Sequence, residues 1–195
     1  MTVGPDDSAY FVGLGLGSGW MFARDPLNLE AEAPHAAFDK YSRINSLAPS
    51  VPVSYVARIS ASTGAVEASQ FVVARHSATG LGNSARIDAI DVDDDGTVSL
   101  AGRAACCIAG LAAETYRGGD TFVMVVPGTL DRRIGWTSLS ERGAGDVVDL
   151  AARGGITAVV ANNRKKAPSR FVVRNALQRT AGGGLDAFLS ILRTW

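Results

Sequence analysis

Cysteine is almost missing from this sequence. The only two, Cys106 and Cys107, are adjacent. A disulfide framework needs spaced pairs, so this is not one. On a strand, neighbouring side chains point to opposite faces, and the pair reads as two small apolar residues near a sheet edge, the alternatives being a strained vicinal disulfide or a redox role. Histidine is equally scarce. His35 and His76 fall in loop-like sequence with no Cys, Asp or Glu at metal-ligand spacing, and read as solvated side chains. There is no net charge, because 19 Lys and Arg balance 19 Asp and Glu. A nucleic-acid binder would show a basic excess, and the one basic cluster, Arg164-Lys165-Lys166, reads as a solvated loop.

Long apolar runs are missing too, which argues against a membrane-spanning helix. The apolar stretch from Ala9 to Ala23 is broken by Gly and Ser, and it follows Asp6-Asp7 rather than the basic lead of a secretory signal. There is no Gly-x-Ser-x-Gly elbow. Gly15-Leu16-Gly17-Ser18-Gly19 lacks the Lys-Ser/Thr of a phosphate-binding loop and reads as a loop or broken strand. No residue stands out as catalytic, and none as cofactor-binding.

Glycine is plentiful, at 22 residues, and it separates short apolar runs. That pattern favours an all-β protein with many turns. The length suits one well-buried domain or two small ones, and the chain is read as one domain over residues 1–195. Residues 1–8 read as a polar lead, and Ala9 to Gly13 as a strand. Residues 14–52 have little periodicity, are punctuated by Pro26, Pro34, Pro49 and Pro52, and read as a long loop insertion with a helical turn near Ala36 to Tyr41. Strands follow at Val53–Ser60 and Val66–Val73, then a polar loop from Arg75 to Ala85. Further strands are expected at Thr121–Val126, Ile134–Leu139, Ile156–Val160 and, shorter, Phe171–Val173.

The organising stretch is Asp91 to Gly102. Apolar residues alternate into it (Ile87, Ala89, Ile90, Val92) and out of it (Val98, Leu100), around an Asp95-Gly96 turn. Asp-Gly suits a tight hairpin because glycine takes positive φ at no steric cost. Two other segments, Asp146–Gly155 and Gly182–Arg193, fit either a short helix or a strand by local spacing. Internal repetition resolves them as strands. Asp120 and Phe122 align with Asp186 and Phe188 at a shift of 66, and Tyr55 stands 67 residues before Phe122. Ile90-Asp91-Val92 through Leu100 align with Val148-Asp149-Leu150 through Ala158 at a shift of 58. A period of this size points to a propeller or solenoid.

The residues that carry this repeat are Gly118-Gly119-Asp120-Thr121-Phe122-Val123, Trp136, Ile90 to Val98 with Gly102, and Gly183-Gly184-Leu185-Asp186-Ala187-Phe188. Over residues 53–193 they resemble the bacterial β-propeller repeat family of the SBBP-like type. The resemblance implies four-stranded antiparallel blades, with the Ile-x-Val-Asp strand innermost and the Trp strand outermost. By that count the chain holds ten strands, about two and a half blades, fewer than the four to eight of closed propellers. The resemblance therefore implies a partial propeller whose sheet is completed by another copy or another propeller-containing chain. It leans towards an extracellular or cell-surface setting. Its implied role is a non-catalytic protein-interaction scaffold. The alternatives are a Ca²⁺-stabilised adhesion or carbohydrate-binding module, and an enzyme with its site on a propeller face.

One candidate metal site follows from the residues. Asp91, Asp93 and Asp95 before Gly96 place alternate carboxylates on a tight loop, a donor set that suits Ca²⁺. An EF-hand is rejected because its twelfth position is Gly102, and Ser99 at the ninth weakens an integrin-type loop. The competing reading is a well-formed solvated turn. Trp20, Trp136 and Trp195 read as packing residues between blades rather than a ligand groove.

Overall fold

Alternating apolar residues and glycine-centred turns give a chain of strands joined by turns and loops. The computed structural model describes residues 1–16, 24–35, 41–44, 50–76, 79–105, 121–140, 145–163, 175, 177, 184 and 186–193. Its strands are β1 (Thr2–Val3), β2 (Ala9–Leu16), β3 (Arg24–Asp25), β4 (Asn28–Glu32), β5 (Pro52–Ile59), β6 (Val66–Val72), β7 (Ala74–Arg75) and β8 (Gly82–Asn83). They continue as β9 (Ala85–Val92), β10 (Val98–Ala104), β11 (Thr121–Val126), β12 (Gly135–Ser138), β13 (Gly145–Arg153), β14 (Ile156–Asn163) and β15 (Asp186–Arg193). There is no helix among the described residues. None, therefore, is long and apolar enough to cross a membrane.

Both ambiguous segments are strands, β13 and β15. The polar lead contains β1, which pairs with β2 through Thr2–Tyr10 and Val3–Ala9. The insertion is less irregular than its sequence: β2 runs on to Leu16, β5 starts at Pro52, and β3 and β4 form a hairpin between them. Pro52 is tolerated because it opens its strand. Cys106, Cys107, Trp20, Trp195, Arg164-Lys165-Lys166, Gly118-Gly119-Asp120, Phe171–Val173 and most of the expected helical turn lie outside the described residues.

The largest sheet has eight strands, in the order β1-β2-β5-β9-β10-β11-β12, with β6 on β5. Separate four-stranded blades are therefore not what the sheets record. The physical reason is local. Pairing of β6 with β5 ends at Val72–Ser54, so Val53 takes Ala85 of β9 as a parallel partner. All other pairing in this sheet is antiparallel. The sheet thus has two antiparallel arms, β1-β2-β5-β6 and β9-β10-β11-β12, joined at one residue pair. A second sheet, β13-β14-β15, is wholly antiparallel.

Strand alternation sorts the side chains into layers. Tyr10, Val56 and Val72 of the first arm share a core with Leu100, Phe122, Met124 and Trp136 of the second. Phe122 and Trp136 stack with ring centroids 4.3 Å apart, so Trp136 is a packing residue as expected. The opposite face of the second arm (Ala89, Ala101, Val123, with Leu139 beside it) packs on Val147, Leu150 and Val159 of the β13-β14-β15 sheet. The outer face of the first arm (Val53, Tyr55, Ala57, Phe71) is covered by Ala33, Ile44 and Val51 from the insertion. The sequence of layers is insertion, first arm, second arm, third sheet.

Residues paired by the sequence alignment have these places in the stack. Tyr55, Phe122 and Phe188 all lie on the face turned towards the preceding layer. Ser99 and Thr157, equivalent at the 58-residue shift, share a buried 2.8 Å hydrogen bond between their hydroxyls. Removing either hydroxyl leaves the other buried without its partner. Ser99→Ala or Thr157→Val should each cost about 1 kcal/mol, and the double variant less than the sum. Urea unfolding of all three proteins tests this; full additivity would show that the hydroxyls are not coupled.

Candidate functional site

The turn between β9 and β10 is built by its own backbone. Asp93 N donates to Thr97 O at 2.8 Å and Gly96 N to Asp93 O at 2.9 Å, with Gly96 at φ +83°. Asp95 closes the turn by accepting from Thr97 N at 2.8 Å. The turn between β1 and β2 repeats this arrangement bond for bond. Gly4 N donates to Ser8 O, Asp7 N to Gly4 O, and Ser8 N to Asp6 Oδ1, with Asp7 at φ +61°. The corresponding turn between β13 and β14 is shorter. It is Gly154-Gly155, with positive φ at both residues, as a two-residue type I′ hairpin requires.

The three expected metal ligands are divided between tasks. Asp91 Oδ1 accepts from Thr2 Oγ1 at 3.0 Å, and its Oδ2 from Ala152 N at 2.9 Å. Asp93 is 3% exposed and reaches across to the shorter turn, accepting from Gly154 N and Gly155 N, both at 2.7 Å. Successive backbone N–H groups in such a turn form a natural anion cradle. Asp94 N also donates to Asp93 Oδ1 at 2.7 Å, and Arg153 lies 3.6 Å from the Asp94 carboxylate. Asp95 serves only its own turn. Burial pushes the Asp93 carboxyl up, but the N–H donors of Gly155, Asp94 and Gly154 and the charge of Arg153 outweigh it, holding its pKa below the ordinary carboxylate value.

Among the described residues, no three His, Cys, Asp or Glu side chains gather into a metal-holding group. A cation at Asp91 and Asp93 would have to displace four backbone N–H donors and the Thr2 hydroxyl. Saturating Ca²⁺, compared with chelator, is therefore expected to leave the Tm unchanged. A Ca²⁺-dependent rise of several degrees would assign the turn to a cation instead.

Other predicted residues lie apart from this cluster. His35 is exposed, with Nδ1 3.0 Å from Ser69 Oγ and its ring beside Phe71. His76 is exposed, and its backbone bonds with Leu81 and Gly80 close a small loop. Near Trp136, a recess bordered by Tyr41, Gln70, Met124 and Arg133 has room for about one water molecule.

Sequence reasoning missed a charged bridge on the same layer contact. Asp88 takes Arg86 Nε at 2.7 Å and Arg103 Nε at 3.2 Å, and Arg103 also pairs with Asp146 of the third sheet. A β-bulge puts Asp88 there: Ala101 opposes Ala89, but Gly102 opposes Ile87. The available signal was the change of parity in the apolar series, from Ile87 and Ala89 to Ile90 and Val92.

The molecule these contacts define is an all-β stack of layers pinned at one end by matching hairpin turns. No protein-family model, no curated protein and no solved structure gives a significant match to this chain.

Proposed function

We propose that the chain is a non-catalytic scaffold of propeller type, which offers sheet surfaces to protein partners. Three features support a blade-like unit. The β9-β10-β11-β12 arm is a four-stranded antiparallel meander whose first strand contacts both β1 and β13. The turns after β1 and β9 share one hydrogen-bond pattern. Aromatic residues at equivalent third-strand positions face the preceding layer.

One observation carries the scaffold reading: among the described residues, nothing covers the apolar outer face of the last sheet. Leu189 is 61% and Ile191 67% exposed, beside exposed Val160 and Ile156. In a monomeric protein a contiguous apolar patch of this kind marks an interaction surface. Among the described residues no strand pairs with the outer edge of β15, which leaves a backbone edge available as well. Affinity capture with the native chain and with a Leu189→Asp/Ile191→Asp variant tests the reading. Proteins enriched on the native chain and lost on the variant support it. Equal recovery on both overturns it.

A further inference from the structure

We propose that the outer face of β13-β14-β15 is a homodimer interface, where a second copy docks face to face about a two-fold axis crossing the strands at the Ala151–Ala158–Ile191 row. This deepens the scaffold reading and rests on it for the premise that the face is an interaction surface.

Strand register defines the face. Its cross-strand rows are Asp149–Val160–Leu189, then Ala151–Ala158–Ile191, then Arg153–Ile156–Arg193. Residues of the alternate set, Val147, Leu150, Val159 and Leu192, point the other way, into the contact with the second arm. The exposed rows therefore have an apolar middle, an acid at one end and two arginines at the other. Sheet faces in this chain already pack on one another at two levels, so a third sheet-on-sheet contact continues the construction.

The opposite end of the stack decides between modes of self-association. A head-to-tail contact would need the outer face of the first arm, but Ala33, Ile44 and Val51 already cover Val53, Tyr55 and Phe71 there. Pro34 O also accepts a hydrogen bond from Ser69 Oγ on that face. For burying this apolar face against a second copy, the face-to-face, isologous mode is the one that pairs it with a matching surface.

Charge selects the axis. A two-fold along the strands would set Arg153 of one copy against Arg193 of the other, a like-charge contact in a drying interface. A two-fold across the strands at the Ala158 row exchanges the rows on either side of it. Arg153 then meets Asp149 of the second copy, Ile156 meets Val160, and Ile191 meets its own mate. Asp149 is held ready for this by its backbone: Leu150 N donates to its Oδ1 at 2.9 Å, which leaves the second oxygen for the arginine.

Sedimentation and light scattering of the purified full-length chain over a range of concentrations test this. The expected mass at high concentration is twice 20.3 kDa. Asp149→Arg and Arg153→Asp should each raise the dimer dissociation constant about tenfold, and the double charge swap should restore it. Ile191→Asp should leave only monomer. All these side chains are exposed, and circular dichroism melting of each variant separates lost pairing from lost folding. A monomeric mass at every concentration overturns the inference. So does a dimer that survives Ile191→Asp, or a double swap that restores nothing. If the chain is monomeric but still captures partners lost by the Leu189→Asp/Ile191→Asp variant, this inference falls and the scaffold reading stands. A dimer without face-dependent capture of other proteins separates the two in the opposite sense.

Discussion

Gly102→Ala is expected to destabilise the protein by about 4 kcal/mol or more, among the largest effects of any single methyl group. The cause is the close passage of β9 at its bulge. A Cβ on Gly102 would lie 1.9 Å from Arg86 O and 2.7 Å from Ile87 Cα. Both are backbone atoms of the neighbouring strand, so no side chain can rotate out of the way. Relief would require separating β9 from β10, which carry Ile87, Ile90, Val98 and Leu100 into the main core. For a protein of this size the loss corresponds to a Tm lowered by about 10 °C or more. Gly96 provides the control. It needs positive φ but has nothing within 4 Å of a Cβ. Gly96→Ala should cost about 1–2 kcal/mol from backbone strain alone. Gly96→Asp should cost less, since Asp7 already occupies the matching position at φ +61°. Equal losses at Gly102 and Gly96 in urea unfolding would remove the steric explanation.

Asp93→Ala is the second large effect, about 3 kcal/mol or more, because three N–H groups lose one buried charged acceptor. The donors are Asp94 N, Gly154 N and Gly155 N. Two of the three belong to the third sheet, so the loss should be concentrated there. Hydrogen exchange should accelerate in β13 and β14 more than in β10 and β11. Uniform acceleration, or none, would mean that Asp93 does not pin the layers. Asp93→Asn keeps one acceptor oxygen but turns an NH₂ towards the remaining donors, and should fall between alanine and the native residue.

The same carboxylate predicts a pH dependence. Its folded pKa is lowered, so folding favours the ionised form. That stabilisation is fully present above the unfolded value of about 3.9 and is lost as pH falls through the lower folded value. The native Tm should decline as pH drops below about 4, and the decline should be shallower in Asp93→Asn. Parallel profiles for the two proteins would show that another group is responsible.

How much was legible in the sequence follows from how local each feature is. The β9-β10 hairpin could be read because alternation and an Asp-Gly turn act within a dozen residues. Ser99 meets Thr157 at the 58-residue spacing of the sequence alignment. The strands before the two turns meet at another spacing. Asp91 meets Ala152 and Asp93 meets Gly154, both 61 residues apart. The turn of five residues, Asp93 to Thr97, has become a turn of two, Gly154-Gly155, and the alignment slips by that difference. β1 escaped notice because two residues are too short to show a period.

By itself, the sequence determined the strand class, the β9-β10 hairpin and the residues of the acidic turn, because each depends on neighbours a few positions apart. Tertiary structure decided what the turn's carboxylates do. Asp91, Asp93 and Asp95 could converge on a cation or diverge onto backbone donors, and local spacing is the same in both cases. The neighbouring hairpin brings successive N–H groups 61 and 62 residues later in the sequence, and Asp93 accepts from both. Stacking also determined which apolar face was buried and which was left outside. Val159 and Val160 are adjacent and alike in sequence, yet the first is fully buried and the second faces out beside Leu189.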